Sequence, residues 1–339
     1  MLSYKNILLI QLRQLGDILL TTPCIREIRK ECPDARITFM CHQMGTHILK
    51  DNPFLDEIIT YSEKSSLFQQ AGLLKDLNRK RFDLVIDFMN NPRSALASFL
   101  SQAPLRVAFR SARKAAYSLS ISRPERGLYI VREKFMLLRA CGMSPEDISL
   151  TFPWTAEDLR PWENFRASLP QTERASCRVI LSPTHRRSPR KWPLHRYAAL
   201  ADYLTLSWGA IVIWIWGPGE ESEIDQAMQL CQHQSYKAPA TSLPQLAAFC
   251  SHQDLFVGNS NGPSHIAVAA NIHTLQLHGP TEAAAWCPET RQHQSLQAPH
   301  SPEGRTGNLD KLSLAMVTDK LESMKQSIMD AQKQRTEQI

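Results

Sequence analysis

An aspartate near the start of the chain, Asp17, occupies a position where parallel-sheet proteins often carry out chemistry. The apolar stretch 7–10 ends shortly before it, Gly16 precedes it, and a helix-like apolar pattern follows. The loop that leaves the carboxyl end of a parallel strand faces the ligand crevice, and Gly16 allows that loop to bend sharply. Two interpretations are open: a carboxylate that accepts a proton from a substrate, or an ordinary helix cap.

A second sequence of strand, glycine turn and helix runs over 255–267. Pro263 suits the first helical position, and Gly262 or Asn261 can cap the helix. The free backbone N–H groups of such a helix start would point at a phosphate. His265 lies one turn into the helix, and we interpret it as a packed, hydrogen-bonded residue in preference to a catalyst.

Two further loops carry groups that bind phosphate or sugar. Thr184 leaves a predicted strand, and Arg190 and Lys191 follow shortly before a predicted helix. Hydroxyl, guanidinium and ammonium groups can converge there on phosphate oxygens, although a surface basic turn is the alternative. Gly279 and Thr281 form another turn, where the Thr281 hydroxyl could bond a sugar or a phosphate.

A fourth loop follows the predicted strand 84–88 and opens a helix at Pro92. Arg93 and the start of that helix are expected to face the same crevice as Asp17 and to bind a carboxylate or a phosphate, together with Asn90. An ordinary helix initiated by proline is the alternative interpretation.

The formal net charge of +6 is concentrated in one segment. Within 101–140 the basic residues are Arg106, Arg110, Arg113, Lys114, Arg123, Arg126, Arg132, Lys134 and Arg139, opposed by Glu125 and Glu133. The segment is either a solvated face or a surface that attracts a phosphorylated glycolipid, acidic lipid headgroups or nucleic acid. No helix-turn-helix, zinc-finger or RNA-binding aromatic signature accompanies it, so nucleic acid ranks last.

Strand and helix patterns alternate along the chain, which predicts parallel sheets in an α/β protein. In the first half, predicted strands cover 7–10, 37–41, 58–61 and 84–88, and predicted helices cover 22–31, 44–50 and 67–79. In the second half, predicted strands cover 178–182, 210–216, 255–257 and 274–277, and predicted helices cover 194–206, 220–231 and 263–270.

A chain of 339 residues is long enough for two domains. The proline-rich segment 145–175 is the expected connection between them, which gives domains over 1–158 and 159–312. Apolar residues then recur at steps of three and four from Leu314 to Ile328, so a final amphipathic helix is expected within 313–339.

Several classes of protein are disfavoured. No signal peptide or membrane-spanning stretch is apparent, and the eight cysteines form no CxxC pair or metal-ligand spacing, which favours a reducing cytoplasm. No Asp-x-Asp run of the kind that binds a metal-bridged sugar nucleotide lies near a predicted strand end. The first turn also lacks the glycine fingerprint of dinucleotide-dependent oxidoreductases.

The motifs taken together resemble the glycosyltransferase family of bacterial lipopolysaccharide heptosyltransferases. The resemblance rests on the Leu-Gly-Asp turn at 15–17, the Lys-Trp-Pro segment at 191–193, the loop 259–265 and the His-Gly-Pro-Thr turn at 278–281. It implies a GT-B type fold, in which two Rossmann-like domains face each other across a cleft and the last helix packs back across both lobes. It also implies a donor, ADP-heptose, and an acceptor, the lipopolysaccharide core on lipid A.

The resemblance further implies an inverting transfer without metal or cofactor, in the cytoplasm at the inner face of the inner membrane, to which the enzyme would be peripherally associated. Asp17 would be the general base. The donor-binding residues would be Thr184, Arg190, Lys191, Ser260, Asn261, Gly262, Pro263, His265, Gly279 and Thr281. The acceptor-binding residues would be Gly16, Asn90, Arg93, Arg110 and Arg113. In this family a lysine usually stands near Arg190 or Lys191, and the register leaves the choice open.

Ser260 departs from the family pattern, since many relatives have an aspartate there or beside it. A different sugar nucleotide is therefore an alternative donor. A second alternative is a homologue that binds a nucleotide sugar or a glycolipid without turnover.

Overall fold

The computed structural model describes residues 4–62, 72, 76–125, 127–170, 177–299 and 307–336. Most of the predicted helix 67–79, and Arg126 of the basic segment, lie outside the described residues. The chain divides into two compact units, Met1–Pro153 and Trp154–Ile339.

The first unit is built on a six-stranded parallel sheet with the order β3-β2-β1-β4-β5-β6. Its strands are β1 (Asn6–Ile10), β2 (Arg36–His42), β3 (Glu57–Tyr61), β4 (Leu84–Asp87), β5 (Leu105–Phe109) and β6 (Leu119–Ile121). The helices with described bounds are α1 (Leu15–Leu19), α2 (Thr22–Glu31), α3 (Thr46–Leu49), α4 (Pro92–Leu100) and α5 (Ile130–Ala140).

The second unit repeats this architecture, with the strand order β12-β11-β10-β7-β8-β9 and parallel pairing throughout. Its strands are β7 (Arg178–Ser182), β8 (Ile211–Trp214), β9 (Tyr236–Lys237), β10 (Leu255–Asn259), β11 (His273–His278) and β12 (His293–Gln297). Its helices are α6 (Ala156–Ser168), α7 (Leu194–Trp208), α8 (Glu221–Gln229), α9 (Leu243–Cys250), α10 (Gly262–Ala269), α11 (Ala283–Trp286) and α12 (Leu314–Thr336).

The central strands read as continuous apolar runs because both faces of each sheet are covered. Residues Ile7 to Ile10 of β1 and Leu255 to Val257 of β10 are fully buried. The sequence therefore predicts these strands directly, and the predicted α/β class with two parallel, Rossmann-like sheets is confirmed.

The C-terminal helix α12 packs on the second sheet's core. Val317, Leu321, Met324 and Ile328 lie on one buried stripe of the helix and belong to the cluster that includes Val179 of β7. The helix therefore has one buried stripe, and it is part of the second unit. None of the described helices is both long and apolar enough to span a bilayer.

The two units divide after Pro153, slightly before the boundary predicted at 158. The reason is the packing of α6, whose Trp162 ring meets the Phe249 ring of α9 edge to face at 5.3 Å. This aromatic contact holds the first turn of α6, including positions 156–158, in the second unit.

An unusual polar residue is buried at the end of β11. His278 is fully buried, and neither of its ring nitrogens has a hydrogen-bond partner among the described residues. Burial lowers the pKa of His278 to about 3, with smaller contributions in the same direction from His265 and Arg190. The imidazole is thus neutral at pH 7, and the folded protein resists its protonation.

This pKa shift predicts acid sensitivity of the second unit. Below pH 6.5 the unfolded chain protonates His278 while the folded chain does not, so stability falls as the pH falls. Between pH 6.5 and pH 5 the free energy of unfolding should fall by up to about 2 kcal/mol less in His278→Phe than in the parent protein. Urea unfolding followed by tryptophan fluorescence measures this, because all 7 tryptophans lie at or after position 154.

The exposed His195 supplies a control for this experiment, because His195→Gln should leave the pH dependence unchanged. Equal losses of stability for the parent protein and for His278→Phe would show that His278 does not contribute to the acid sensitivity.

Candidate functional site

Asp17 lies in the short helix α1, at the carboxyl edge of the first sheet. The chain leaves β1 at Ile10 and enters α1 at Leu15. The Asp17 side chain is half-buried, and its Oδ2 atom accepts a hydrogen bond of 3.3 Å from the backbone N–H of Gln14. This is a capping contact, and it leaves the other carboxylate oxygen without a hydrogen bond from the described residues. The capping interpretation and the proton-accepting interpretation are therefore compatible.

The loop after β4 is fixed by a buried carboxylate. Asp87 accepts hydrogen bonds from the backbone N–H groups of Met89 (2.9 Å) and Asn90 (2.8 Å) and from the Tyr117 hydroxyl (2.7 Å). Burial raises the pKa of Asp87, and these hydrogen bonds oppose the shift. Sequence reasoning missed Asp87 as a site residue, although a carboxylate that ends an apolar strand is a visible signal.

The predicted acceptor residue Asn90 is occupied by contacts inside the protein. Its Nδ2 atom donates to the Phe109 carbonyl, and its Oδ1 atom accepts from Ser111 (2.9 Å) and Tyr117 (3.2 Å). Its backbone has a positive φ of 53°, a conformation that asparagine tolerates better than most residues. These contacts assign Asn90 to the shape of the loop.

Arg93 and Arg113 lie on either side of that loop. The Arg93 guanidinium stands 5.9 Å from the centre of the Tyr61 ring, at the end of β3. Arg113 donates from Nη1 to the Asn90 carbonyl at 3.1 Å. Both side chains are exposed, as is that of Arg110.

The basic segment does not form one continuous charged face. The Nε atom of Arg106 donates to the Ala116 carbonyl at 2.9 Å, and Arg123 pairs with Glu133 at 2.5 Å. Lys134 is buried, with only 4 % of its surface exposed. Within this segment, three exposed cations lie close together in the sequence: Arg110, Arg113 and Lys114. The predicted attraction to anions depends on these three residues.

Three neighbouring strands of the second sheet, β11, β10 and β7, bring the predicted donor loops together. Their carboxyl ends lie at one edge because the strands are parallel. A Cβ added at Gly279 would lie 3.0 Å from the Pro189 carbonyl, so the loop after β11 closely approaches the segment that leads to Arg190 and Lys191. Glycine permits that approach.

Two asparagines tie these loops to one another. The buried Asn259 donates from Nδ2 to the Pro183 carbonyl at 2.6 Å and accepts from the backbone N–H of Trp192 at 3.1 Å. Asn261 donates from Nδ2 to the Thr184 carbonyl at 3.0 Å. Asn259 was missed as a site residue, since only the sheet order shows that its strand adjoins β7.

Arg190 and Lys191 differ in their surroundings. Lys191 forms an ion pair with Glu223 of α8, with distances of 2.8 and 2.7 Å from Nζ to the two carboxylate oxygens. Arg190 is half-buried and has no ion pair with the described part of the chain. Burial and the nearby Arg187 lower the pKa of Arg190. An anion would offset the repulsion between Arg190 and Arg187, and Arg190 is therefore the better candidate for phosphate binding.

Thr184 is buried, and its hydroxyl donates to Glu220 Oε2 at 2.6 Å. The same oxygen accepts from the backbone N–H of Gly217 at 2.9 Å. The hydroxyl of Thr184 is thus directed at a carboxylate. Sequence reasoning did not identify Glu220 or Glu223 as site residues. Their contacts with Thr184 and Lys191 depend on the pairing of β7 with β8.

Asn261 caps α10 and accepts from the Ser264 N–H at 3.3 Å, which decides between the two predicted caps. Helix α10 begins at Gly262, so Pro263 occupies the second helical position. A Cβ at Gly262 would meet no atom within 4 Å, so the helix start is open at this residue. His265 is buried, and burial lowers its pKa to about 4, so it is neutral at pH 7.

Ser260 and Thr281 complete the predicted donor site. Ser260 is half-buried, and its backbone N–H donates to the Leu277 carbonyl at 3.1 Å. The Thr281 hydroxyl is buried and lacks a partner among the described residues. Over the same residues, no group of three or more His, Cys, Asp or Glu side chains is arranged to hold a metal ion.

Two Rossmann-like units, each built on a six-stranded parallel sheet, have the architecture of glycosyltransferases with the GT-B type fold. The model of glycosyltransferase family 9, the heptosyltransferase family, matches residues 71–312. The chain therefore belongs to this family.

Similar proteins agree with that assignment. Lipopolysaccharide heptosyltransferase 3 of Escherichia coli K12 is 26% identical over 82% of this chain and 84% of its own length. The structure of a family 9 glycosyltransferase from Veillonella parvula superposes with a TM-score of 0.84 at 21% identity, over 97% of this chain and 99% of that one. A structure of E. coli heptosyltransferase WaaC with ADP-2-deoxy-2-fluoro heptose has a TM-score of 0.72 at 18% identity, over 94% and 99%.

The different surroundings of Arg190 and Lys191 lead to a prediction for nucleotide binding. Arg190→Ala should weaken ADP binding by about 1.5 to 3 kcal/mol, the usual value of a hydrogen bond to a charged group. Lys191→Ala should weaken it much less, because Glu223 already neutralises that ammonium. Titration calorimetry with ADP compares the two variants. A larger loss for Lys191→Ala would reverse the assignment.

Proposed function

We propose that this chain transfers heptose from ADP-heptose to the lipopolysaccharide inner core, with inversion and with Asp17 as general base. The observation that supports this proposal is the half-buried carboxylate of Asp17, which follows β1 in a family 9 glycosyltransferase. Transfer requires that the acceptor hydroxyl lose its proton while the bond to the departing diphosphate breaks. A carboxylate placed beside that hydroxyl accepts the proton as the new bond forms.

The second unit supplies the groups for the leaving diphosphate. Arg190 offers a guanidinium and Gly262 an open helix start. Positive charge and helix N–H groups stabilise the negative charge that develops on the diphosphate. With this stabilisation the reaction needs no metal, and we propose metal-independent transfer.

We propose ADP-heptose as the donor because of the proteins to which this chain is similar. Their names describe lipopolysaccharide heptosyltransferases, and one solved structure holds a fluorinated ADP-heptose. Ser260, where the family pattern often has aspartate, motivates a different sugar nucleotide as the second candidate. Mass spectrometry of products from ADP-heptose and other sugar nucleotides, with lipid A core fragments of increasing length, separates these candidates.

We further propose that the enzyme works in the cytoplasm and associates peripherally with the inner membrane through α4. Leu96 and Phe99 of this helix are each about half exposed, at 49% and 53%. Ala95 of the same helix packs against the short 3-10 helix Lys114–Ala116. Exposed apolar side chains beside exposed cations suit an anionic lipid surface.

Replacement of the base gives the direct test of the proposed chemistry. Asp17→Asn should lower turnover at least about 100-fold, because the amide keeps the shape of the side chain but accepts no proton. Folding and ADP affinity should be unchanged. The measurement is ADP release from ADP-heptose with a deacylated lipopolysaccharide acceptor. Unchanged turnover would leave Asp17 with its capping role alone, and absence of single-turnover transfer by the parent protein would favour a binding protein.

Charge reversal tests the surface near α4. The double variant Arg110→Glu with Lys114→Glu should raise the apparent KM for the acceptor and weaken binding to vesicles of phosphatidylglycerol, while the Kd for ADP stays constant. Added salt should reduce the difference in acceptor KM and in vesicle binding between the variant and the parent protein. Exposed charges are screened beyond about 8 Å at physiological ionic strength.

A matched control reverses two other exposed lysines of the same unit, Lys30→Glu with Lys50→Glu, at the same change in net charge. Equal effects of the two double variants would show that only the net charge matters. If the double variant Arg110→Glu with Lys114→Glu keeps the parent KM for the acceptor at low salt, these cations only form a solvated face.

A further inference from the structure

A buried lysine lies directly beneath the turn that carries Asp17. Lys134 belongs to α5, and its side chain is 4% exposed. It forms no ion pair with a carboxylate of the described residues. A buried ammonium without an ion-pair partner is costly, and an apolar side chain of the same length would fill the space at a lower cost.

The three N–H bonds of the ammonium match three acceptors. Lys134 Nζ donates to Gln11 Oε1 at 3.0 Å, to Thr21 Oγ1 at 2.8 Å and to the backbone carbonyl of Asp17 at 3.4 Å. The Phe88 ring covers the ammonium, with its centre 5.1 Å away. All hydrogen-bonding capacity of this cation is therefore directed at the segment 11–21.

The acceptors stand at the two ends and in the middle of that segment. Gln11 follows β1, and Thr21 follows α1. The backbone N–H of Thr21 donates to the Ile18 carbonyl, while its hydroxyl donates to the Asp17 carbonyl at 2.7 Å. Lys134 thus joins the end of β1, the backbone of Asp17 and Thr21, the residue that precedes α2, at one point.

Charge adds to this geometry. Burial lowers the pKa of Lys134, and the Asp17 charge opposes that shift, so the carboxylate and the ammonium attract each other across the turn. The attraction favours the charged form of Lys134.

We propose that Lys134 is a positioning residue, whose buried ammonium holds the backbone of Asp17 and orients its carboxylate for proton transfer. This proposal rests on the proposed function of Asp17 as general base. Lys134 contacts the turn from beneath and acts through Asp17. Its sequence position in the basic segment had suggested a surface charge.

A double-mutant cycle tests this dependence. Lys134→Met removes the charge at nearly the same length and should lower kcat at least about 10-fold, with the Kd for ADP unchanged because the nucleotide loops belong to the other unit. In the Asp17→Asn background, Lys134→Met should change the residual turnover by less than about twofold. Turnover is measured by ADP release from ADP-heptose, per folded protein.

Two further variants separate positioning from folding. Leu138→Ala creates a defect in the buried face of the same helix and removes none of the hydrogen bonds of Lys134, so it should keep the parent kcat per folded molecule. Thr21→Val removes one acceptor of Lys134 and should lower kcat in the same direction as Lys134→Met. It should likewise lose its effect in the Asp17→Asn background.

The outcomes distinguish the two proposals. If Asp17→Asn retains full turnover, the general base is wrong. If Asp17→Asn is slow but Lys134→Met lowers turnover equally in both backgrounds, or no more than Leu138→Ala, the positioning role is wrong and Lys134 only supports the fold. If Lys134→Met fails to fold, the cycle with Thr21→Val and Asp17→Asn decides alone, and additive effects in it overturn the proposal.

Discussion

Parallel pairing of the central strands is the constraint from which the site derives. In each sheet the strands run in one direction, so every loop that carries a candidate functional residue leaves the same edge. β1 pairs with β4, which brings the turn of Asp17 beside the loop of Asn90. β10 pairs with β7 and β11, which gathers the donor loops. A strand placed elsewhere in either order would disperse these groups.

Strand pairing sets the edge, but buried polar side chains give the loops their shape. Asp87 binds the backbone N–H groups of its own loop and the hydroxyl of the distant Tyr117. Asn90 in the first unit and Asn259 in the second bind backbone groups of segments distant in the sequence. A buried polar group must find its partners or lose several kcal/mol of desolvation free energy. Such groups therefore accept very few loop conformations, which suits loops that must present a ligand-binding surface.

The packing also determines which basic side chains are paired inside the protein and which stay accessible to solvent. Lys191 and Arg123 have carboxylate partners, and Lys134 is surrounded by neutral acceptors. Arg190 and Arg110 keep their charges available to an anion. Residues of one chemical type within one short segment thus differ in function because their neighbours differ.

The sequence by itself determined the α/β class, the central strands, the amphipathic last helix and the loops at which chemistry is expected. Buried parallel strands are apolar without interruption, and the chemistry of glycine, proline and asparagine marks the turns between them. These signals are local, so they survive without knowledge of the fold. Weaker elements such as β5 and β12 were missed, because polar and basic residues interrupt their patterns.

Only the tertiary structure decided which side chains are occupied and which remain available. Glu223 neutralises Lys191 from the next helix, α5 buries Lys134 beneath Asp17, and Asn90 turns inward to Phe109. Each contact joins residues far apart in the chain, and sequence spacing carries no information on such contacts. The predicted role of a residue type is therefore a property of the sequence, whereas its availability is a property of the packing.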